Sequence, residues 1–331
     1  MIISRTPFRV SFFGGGTDYP KWFKEHKGAV LATTINKYCY ITCRYLPPFF
    51  DHKSRIIYSK MEHVQKVDDI QHPAAREVLK FLKIKQGVEI HHDGDLPART
   101  GLGSSSAFTV GLLNAFYALK GQMSTKEKLA REAIYVEQTM CKENVGCQDQ
   151  ILASYGGLNL VEFKGDDDHE VREVTLHKDI THNLQSHLML YFTGFSRFAS
   201  EIALHQIQNM GNRTAEMERM YEMVFAGSEY LQANDMKNFG KLLDESWKIK
   251  RTLSDKISSS HIDQIYAKAK KGGALGGKLL GAGGGGFMLL FVPPSKQKAV
   301  KEELKKLLLV PFKFESLGSR IIFYQEENGY K

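Results

Sequence analysis

The sequence has no uninterrupted apolar run near the ~18–20 residues that a membrane-crossing helix needs, so no such span is expected. Its beginning, MIISRTPFRVSFF, lacks the ordered basic, apolar and small-residue regions of a secretory leader and reads directly as strand. Cysteine is scarce: Cys39, Cys43, Cys141 and Cys147 are the only four thiols in 331 residues, and no CxxC pair occurs. That excludes a disulfide framework and leads to the expectation of a reducing cytoplasm. No repeat of solenoid period is visible. What is present is the balance of a globular protein, 42% hydrophobic and 25% charged, in a chain long enough for two domains with sizeable cores.

The formal net charge of +8 fits either solubility or an anionic substrate such as ATP plus a phosphorylated metabolite. Nucleic acid is the less natural partner. The Lys-rich stretch 296–306 reads as the solvated face of an amphipathic helix over 295–308, with Val300, Leu304, Leu307 and Leu308 opposite.

Runs rich in β-branched and aromatic residues predict strands over 1–13, 28–35, 38–46 and 54–59. Helices are expected near 73–86, from the Gly-rich loop 101–103 to about Lys120, and over 126–141 behind a Ser124/Glu127 capping box. Strands are expected at 87–92, 157–163 and 170–176. A second part opens with the strand 187–194, continues through helices to residue 271, and ends in strands at 274–280, 286–292, 311–315 and 320–325. The expectation is an α+β chain divided into 1–186 and 187–331.

Two phosphate-binding patterns fail on context. Gly272, Gly277 and Lys278 have Walker A spacing, but Leu279 stands where the magnesium-binding hydroxyl belongs. Gly281, Gly283 and Gly286 match the dinucleotide fingerprint, but a strand-like run follows where a helix is required. His91, His92, Asp93 and Asp95 read as a strand end rather than a metal cluster.

The informative segment is Pro97-Ala-Arg-Thr-Gly-Leu-Gly-Ser-Ser-Ser-Ala107, between a strand and a helix. Gly101 and Gly103 allow close backbone approach to an anion, and a helix N-terminus points free N–H groups at it. Ser104, Ser105 and Ser106 add hydroxyls. The same string also fits an ordinary Gly/Ser turn. Two more motifs accompany it: Pro7-Phe-Arg-Val-Ser-Phe-Phe-Gly-Gly-Gly-Thr-Asp-Tyr19 and Lys278-Leu-Leu-Gly-Ala-Gly-Gly-Gly-Gly286. In this order the three resemble motifs 1, 2 and 3 of the GHMP kinases, and they spread over nearly the whole chain.

The resemblance implies a two-domain fold: an N-terminal ATP-binding domain with a left-handed βαβ unit, and a C-terminal ferredoxin-like domain. It implies ATP held by Gly101, Leu102, Gly103, Ser104, Ser105 and Ser106, and Mg²⁺ held by Ser105 and Glu137. It makes Asp149 the base and places Arg9 near the reacting oxygen. Asp18 is then a sugar ligand, with Gly15, Gly16, Gly283 and Gly284 lining the substrate site. Galactose-specific members carry Glu-His where Gly15 and Gly16 stand here, so a roomier pocket is expected.

The string FRVSFFGGGTDYP, with residues 193–200 and 246–254, is most similar to members acting on D-glycero-D-manno-heptose 7-phosphate at O1. Their product is the bisphosphate precursor of GDP-activated heptose for surface polysaccharides. Such a substrate needs a cationic clamp, for which Arg197, Lys250 and Arg251 are candidates. Each reads equally as a solvated surface charge. A fucose, hexuronate or hexose kinase of the same family, or a non-catalytic sugar and ATP sensor, stays open at this stage.

Overall fold

A computed structural model of the chain describes residues 1–98, 100–165, 168–194 and 199–326. Its N-terminal run folds as two long antiparallel strands, β1 (Ile2–Phe13) and β2 (Gly28–Tyr45), joined through the short helix α1 (Pro20–Phe23). Next come β3 (Ser54–Ile57), β4 (Met61–Val64), α2 (Pro73–Phe81), β5 (Val88–Gly94), α3 (Ser104–Leu119) and α4 (Lys126–Tyr135). Then follow α5 (Gln148–Tyr155), β6 (Leu158–Lys164), β7 (Asp168–Glu173) and α6 (Lys178–Ser186). The chain continues through β8 (Leu188–Gly194), α7 (Ala199–Asn209), α8 (Thr214–Gln232), α9 (Met236–Thr252) and α10 (Ser260–Lys271). It ends in β9 (Gly276–Leu279), β10 (Gly286–Phe291), α11 (Gln297–Glu303), β11 (Leu308–Leu309), β12 (Phe314–Glu315) and β13 (Arg320–Tyr324).

The two strands expected over 28–35 and 38–46 are one, because a single strand templates three partners along one edge. Gly28–Thr33 pairs with β6, Thr34 and Ile35 with β12, and Cys39–Tyr45 with β5. Along its other edge lies β1, whose register shifts between Pro7 and Phe8. Pro7 has no N–H for a ladder, and a bulge is where an interior strand tolerates that. β3 and β5 run parallel, linked through α2.

α3 lies across β1 and β2 and is buried on almost every side. A β-carbon on Gly111 would stand 2.8 Å from Thr6 Oγ1, and Ser4 Oγ donates to Gly111 O at 2.8 Å. That close seating fixes the middle of α3 over Ser4 and Thr6 in the first half of β1.

The second sheet has the antiparallel order β11-β8-β10-β9. Numbered within that unit the order is 4-1-3-2, the ferredoxin-like arrangement. Sheet membership does not follow a single cut at residue 186. β12 and β13 return to the first sheet, on β2 and β1. One core runs through both units. Phe239 of α9 meets Phe12 and Phe13 edge-on at 5.5 and 5.2 Å and Phe291 of β10 at 5.4 Å. Each such pair contributes about 0.5–1.5 kcal/mol beyond area burial.

Three local expectations change. Thr125, not Ser124, caps α4, accepting from Lys128 N at 3.1 Å. The helix expected over 295–308 stops at Glu303, so Leu308 is exposed on a short edge strand. Residues 148–155, to which the sequence assigned no element, form α5.

Candidate active site

Motif 2 and motif 3 cross backbone on backbone. Gly101 has φ +83°, and a β-carbon there would lie 2.3 Å from Leu280 O. Gly281 has φ +76°, and its β-carbon would lie 2.4 Å from Gly101 Cα. Gly286 faces Thr100 O in the same way, at 2.3 Å. These glycines therefore let two loops touch, a reason for glycine besides anion approach. Gly283 and Gly284 pack on Ile257: a β-carbon on Gly283 would stand 2.7 Å from its carbonyl oxygen, which accepts from Gly284 N at 3.0 Å.

Gly103, at φ +75°, is the N-cap of α3 and supplies no side-chain acceptor to the first turn. A 16-residue helix that starts without a side-chain cap from its N-cap residue presents its positive end to an anion. A β-carbon on Gly103 would lie 3.2 Å from Asp149 Oδ2. Asp149 sits in the first turn of α5, and Arg9 of β1 grips it in fork geometry: Nε to Oδ1 at 2.7 Å and Nη2 to Oδ2 at 2.8 Å. Arg9 Nη1 donates to Gly101 O at 2.7 Å, and Arg9 N to Leu102 O at 3.1 Å. The Arg9 side chain is 6% exposed and that of Asp149 24%, so the carboxylate is the member a substrate can reach.

Asp18 is buried beneath the turn that follows β1. Its Oδ1 accepts from Gly16 N at 2.9 Å, and its Oδ2 accepts from Gln148 Nε2 at 3.0 Å and Gln148 N at 3.3 Å. Gly146 leaves the room, since a β-carbon there would stand 2.0 Å from Asp18 Oδ2. Burial raises the Asp18 pKa, the nearby Asp149 charge adds to this, and the amide donors oppose it.

Glu137 lies not on a regular helix but in a π-helical turn, Val136–Met140, that swings it inward. Such turns recur at functional sites. Its carboxylate is fully buried, accepting from Thr109 Oγ1 at 2.6 Å, Ser106 Oγ at 2.8 Å and Gln150 Nε2. Burial pushes its pKa up to about 7 against those donors. The serine on Glu137 is Ser106, whereas Ser105 is exposed, with Ser104 at the start of the same turn. Two of the donors on Glu137 are hydroxyls, and carboxylate and hydroxyl oxygens together suit a hard cation.

Lys250, near the end of α9, is buried, and its Nζ donates to Gly281 O at 2.5 Å. Lys278 of β9, part of the rejected Walker pattern, is 2% exposed and donates to Phe12 O at 3.0 Å. Both ammonium groups lie in the field of Arg9 and Asp18. Arg251 points elsewhere, pairing with Asp263 at 3.0 Å on the surface. Arg197 lies outside the described residues. Lys278, Gln148, Gln150 and Thr109 are the groups that sequence reasoning assigned no site role. Only the Gln-Asp-Gln string around Asp149 offered a signal.

Burial pulls the Lys250 pKa from 10.5 down to about 8. Between those values the unfolded chain holds a proton that the folded chain does not, so wild-type stability rises with pH across that window. Below pH 8 the folded state bears a buried charge without a carboxylate directly on it. Lys250→Met removes this linkage. Its melting temperature should gain on wild type at pH 7 relative to pH 10, by roughly 2–4 °C per kcal/mol. Thermal melts across that range check it, and a constant difference would mean that Lys250 carries no such shift.

Two family models match the chain: GHMP kinases N terminal domain over residues 69–157, and GHMP kinases C terminal over residues 228–308. D-glycero-alpha-D-manno-heptose 7-phosphate kinase of Campylobacter jejuni is 29% identical over 292 residues, 85% of this chain and 86% of that one. The crystal structure of a D-glycero-D-manno-heptose 1-phosphate kinase from Bacteroides thetaiotaomicron has a TM-score of 0.81 at 22% identity, covering 98% of this chain and 100% of that one. Lactococcus lactis galactokinase complexed with galactose has a TM-score of 0.74 at 16% identity, over 96% and 94% of the two chains. The two structures share the fold.

Proposed function

We propose that this chain, which belongs to the GHMP kinases, transfers the γ-phosphate of ATP to the anomeric O1 of D-glycero-D-manno-heptose 7-phosphate, giving the 1,7-bisphosphate. The observation that carries the reading is the Asp149–Arg9 fork set directly beside Gly103, at the uncapped N-terminus of α3. A triphosphate on the first-turn amides brings its γ-phosphorus next to a carboxylate able to accept the O1 proton. As O1 bonds to phosphorus, the bond to the β–γ bridging oxygen breaks and ADP leaves with that electron pair. The Arg9 guanidinium and Lys250 ammonium stabilise the growing negative charge. A Mg²⁺ ion, which Glu137 would hold with a hydroxyl of the first turn of α3, Ser106 standing on Glu137 and Ser105 exposed beside it, would supply charge neutralisation for the triphosphate. The similarity to the Campylobacter enzyme supports the choice of sugar. Of the two candidate clamp residues that are described, Lys250 is directed at the site and Arg251 is not. The Asp149–Arg9 pair also disfavours a mere sugar sensor, which has no need of a base held so firmly. We place the reaction in the cytoplasm, upstream of GDP-activated heptose for surface polysaccharides.

ADP release measured over free and phosphorylated sugars tests this. kcat/KM for the 7-phosphorylated heptose should exceed that for the free heptose by ~10-fold or more, as one charge-assisted hydrogen bond would give. Equal values, or preference for fucose, a hexuronate or a hexose, would replace the substrate within the family. Excess chelator should stop turnover, and full activity there would remove the metal assignment.

A further inference from the structure

The turn after β1 is not the open space that Gly15 and Gly16 suggest. Gly16 has φ +120°, and a β-carbon on it would lie 2.8 Å from Gln206 Nε2 of α7 and 3.8 Å from Met217 Cε of α8. Gly16 is thus bare so that α7 and α8 can close on the turn, which corrects the roomier pocket expected from sequence. Gln206 is 2% exposed, yet its side-chain amide has no hydrogen-bond partner among the described residues. On the other side of the turn, a β-carbon on Gly15 would lie 3.6 Å from both Gln148 Nε2 and Ser11 Oγ. Gln148 Oε1 and Ser11 Oγ are also buried without a partner. Asp18 lies immediately below, on Gly16 N.

A buried polar group left unpaired costs about 1–3 kcal/mol, and native proteins keep few of them. Two such groups, Ser11 Oγ and Gln148 Oε1, border this dipeptide step on one side and the Gln206 amide faces it on the other, next to the candidate base and its arginine; together they call for a ligand that supplies the missing partners. The groups are uncharged: the Gln206 amide and the Ser11 hydroxyl can each donate or accept, and Gln148 offers the acceptor Oε1, its Nε2 already donating to Asp18. The adjacent Asp18 repels a phosphate but accepts from a hydroxyl. The chemistry therefore selects the neutral ring of a sugar, not its phosphate.

We infer that Gln206 is a specificity-determining residue, whose amide reads a ring hydroxyl of the sugar acceptor across the Gly15–Gly16 turn, with Gln148 and Ser11 completing the set. This rests on the sugar-kinase reading above and names the residue that selects within it. α7 thereby makes the second unit part of the acceptor site, although the ATP-side groups belong to the first.

Gln206→Leu removes the hydrogen bonding at nearly constant volume. KM for the accepted sugar should rise ~10–100-fold with KM for ATP unchanged, and calorimetric affinity for the sugar without ATP should fall equally. Wild type should reject the deoxy-sugar lacking the read hydroxyl by on the order of 10²-fold or more, because its own amide is then stranded. Gln206→Leu should lose that discrimination. Its melting temperature without sugar should equal or exceed that of wild type, since no partner within the protein is lost. A lowered melting temperature with unchanged sugar KM and unchanged deoxy-sugar discrimination would make Gln206 a packing residue and overturn the inference. Gln206→Met, which keeps the chain length, carries the same readouts should the leucine variant not fold. If wild type ignores phosphorylated heptose but uses another sugar, the proposed substrate falls while Gln206 is judged on the sugar used. If wild type binds no sugar, both readings fall.

Discussion

Asp149→Asn is expected to lower kcat by ~10²–10⁴-fold, the usual contribution of a positioned base, with KM for ATP little changed. The structure sharpens how that result is read. Asp149 accepts both Arg9 Nε and Arg9 Nη2. Asparagine can accept only one of these and turns an NH₂ toward the other donor. The variant therefore loses proton acceptance and also loosens Arg9, which in turn holds Gly101 O. A double-mutant cycle with Arg9→Gln separates the two effects. If Asp149 acts only by orienting Arg9, the double variant is no slower than Arg9→Gln alone. If Asp149 takes the proton, Asp149→Asn slows the double variant further. Pre-steady-state phosphoryl transfer should slow together with kcat, which distinguishes chemistry from product release. A loose transition state needs little from a base until late, so the lower end of the range suits such a mechanism. Near wild-type turnover in Asp149→Asn, with none in Arg9→Ala, would remove Asp149 as base and leave catalysis to positioning and charge.

Much of this arrangement was legible in the chain, and what was not shares a physical cause. The strand-to-glycine-to-helix string at 97–107 names an anion-facing helix start because the signal is local. The 28–45 strand was read as two because alternation reports which residues face inward, not how many partners share an edge. The return of β12 and β13 to the first sheet is a long-range pairing with no local signature. Lys278 is the clearest case. In sequence it belongs to a broken Walker pattern, and its partner, the carbonyl of Phe12, lies 266 positions away. Gln206 was silent for the same reason: an amide on a helix means nothing until the helix is seen to close on Gly16. Ser106 in place of Ser105 on Glu137 follows from a π-turn that helical periodicity does not register. Sequence thus identified groups that act through the backbone around them, and missed those that act across the two sheets.

Gly101→Ala is expected to cost on the order of several kcal/mol, a large part of the ~5–15 kcal/mol that holds a domain folded. Two effects add. A non-glycine residue at φ +83° bears about 1–2 kcal/mol of left-handed strain. The new methyl also lies 2.3 Å from Leu280 O, a backbone atom that cannot rotate away, so one of the two loops must shift. Overpacking of this kind costs typically ~1–3 kcal/mol. Gly121→Ala is the control: it has a similar φ, +67°, at the far end of α3, with nothing within 4 Å of its β-carbon. The difference between the two melting temperatures isolates the crossing of motif 2 over motif 3 from the conformational strain. It should be roughly 2–12 °C, at about 2–4 °C per kcal/mol. Gly281→Ala presses on the same contact from the other side, 2.4 Å from Gly101 Cα, so the two alanines together should cost less than their sum. Activity should fall even well below the melting temperature. The two loops carry the Gly101 carbonyl on Arg9 and the Gly281 carbonyl on Lys250, both cations of the candidate site. Should Gly101→Ala melt with Gly121→Ala and turn over like wild type, the loops would have slack. Their glycines would then answer to the bound anion alone.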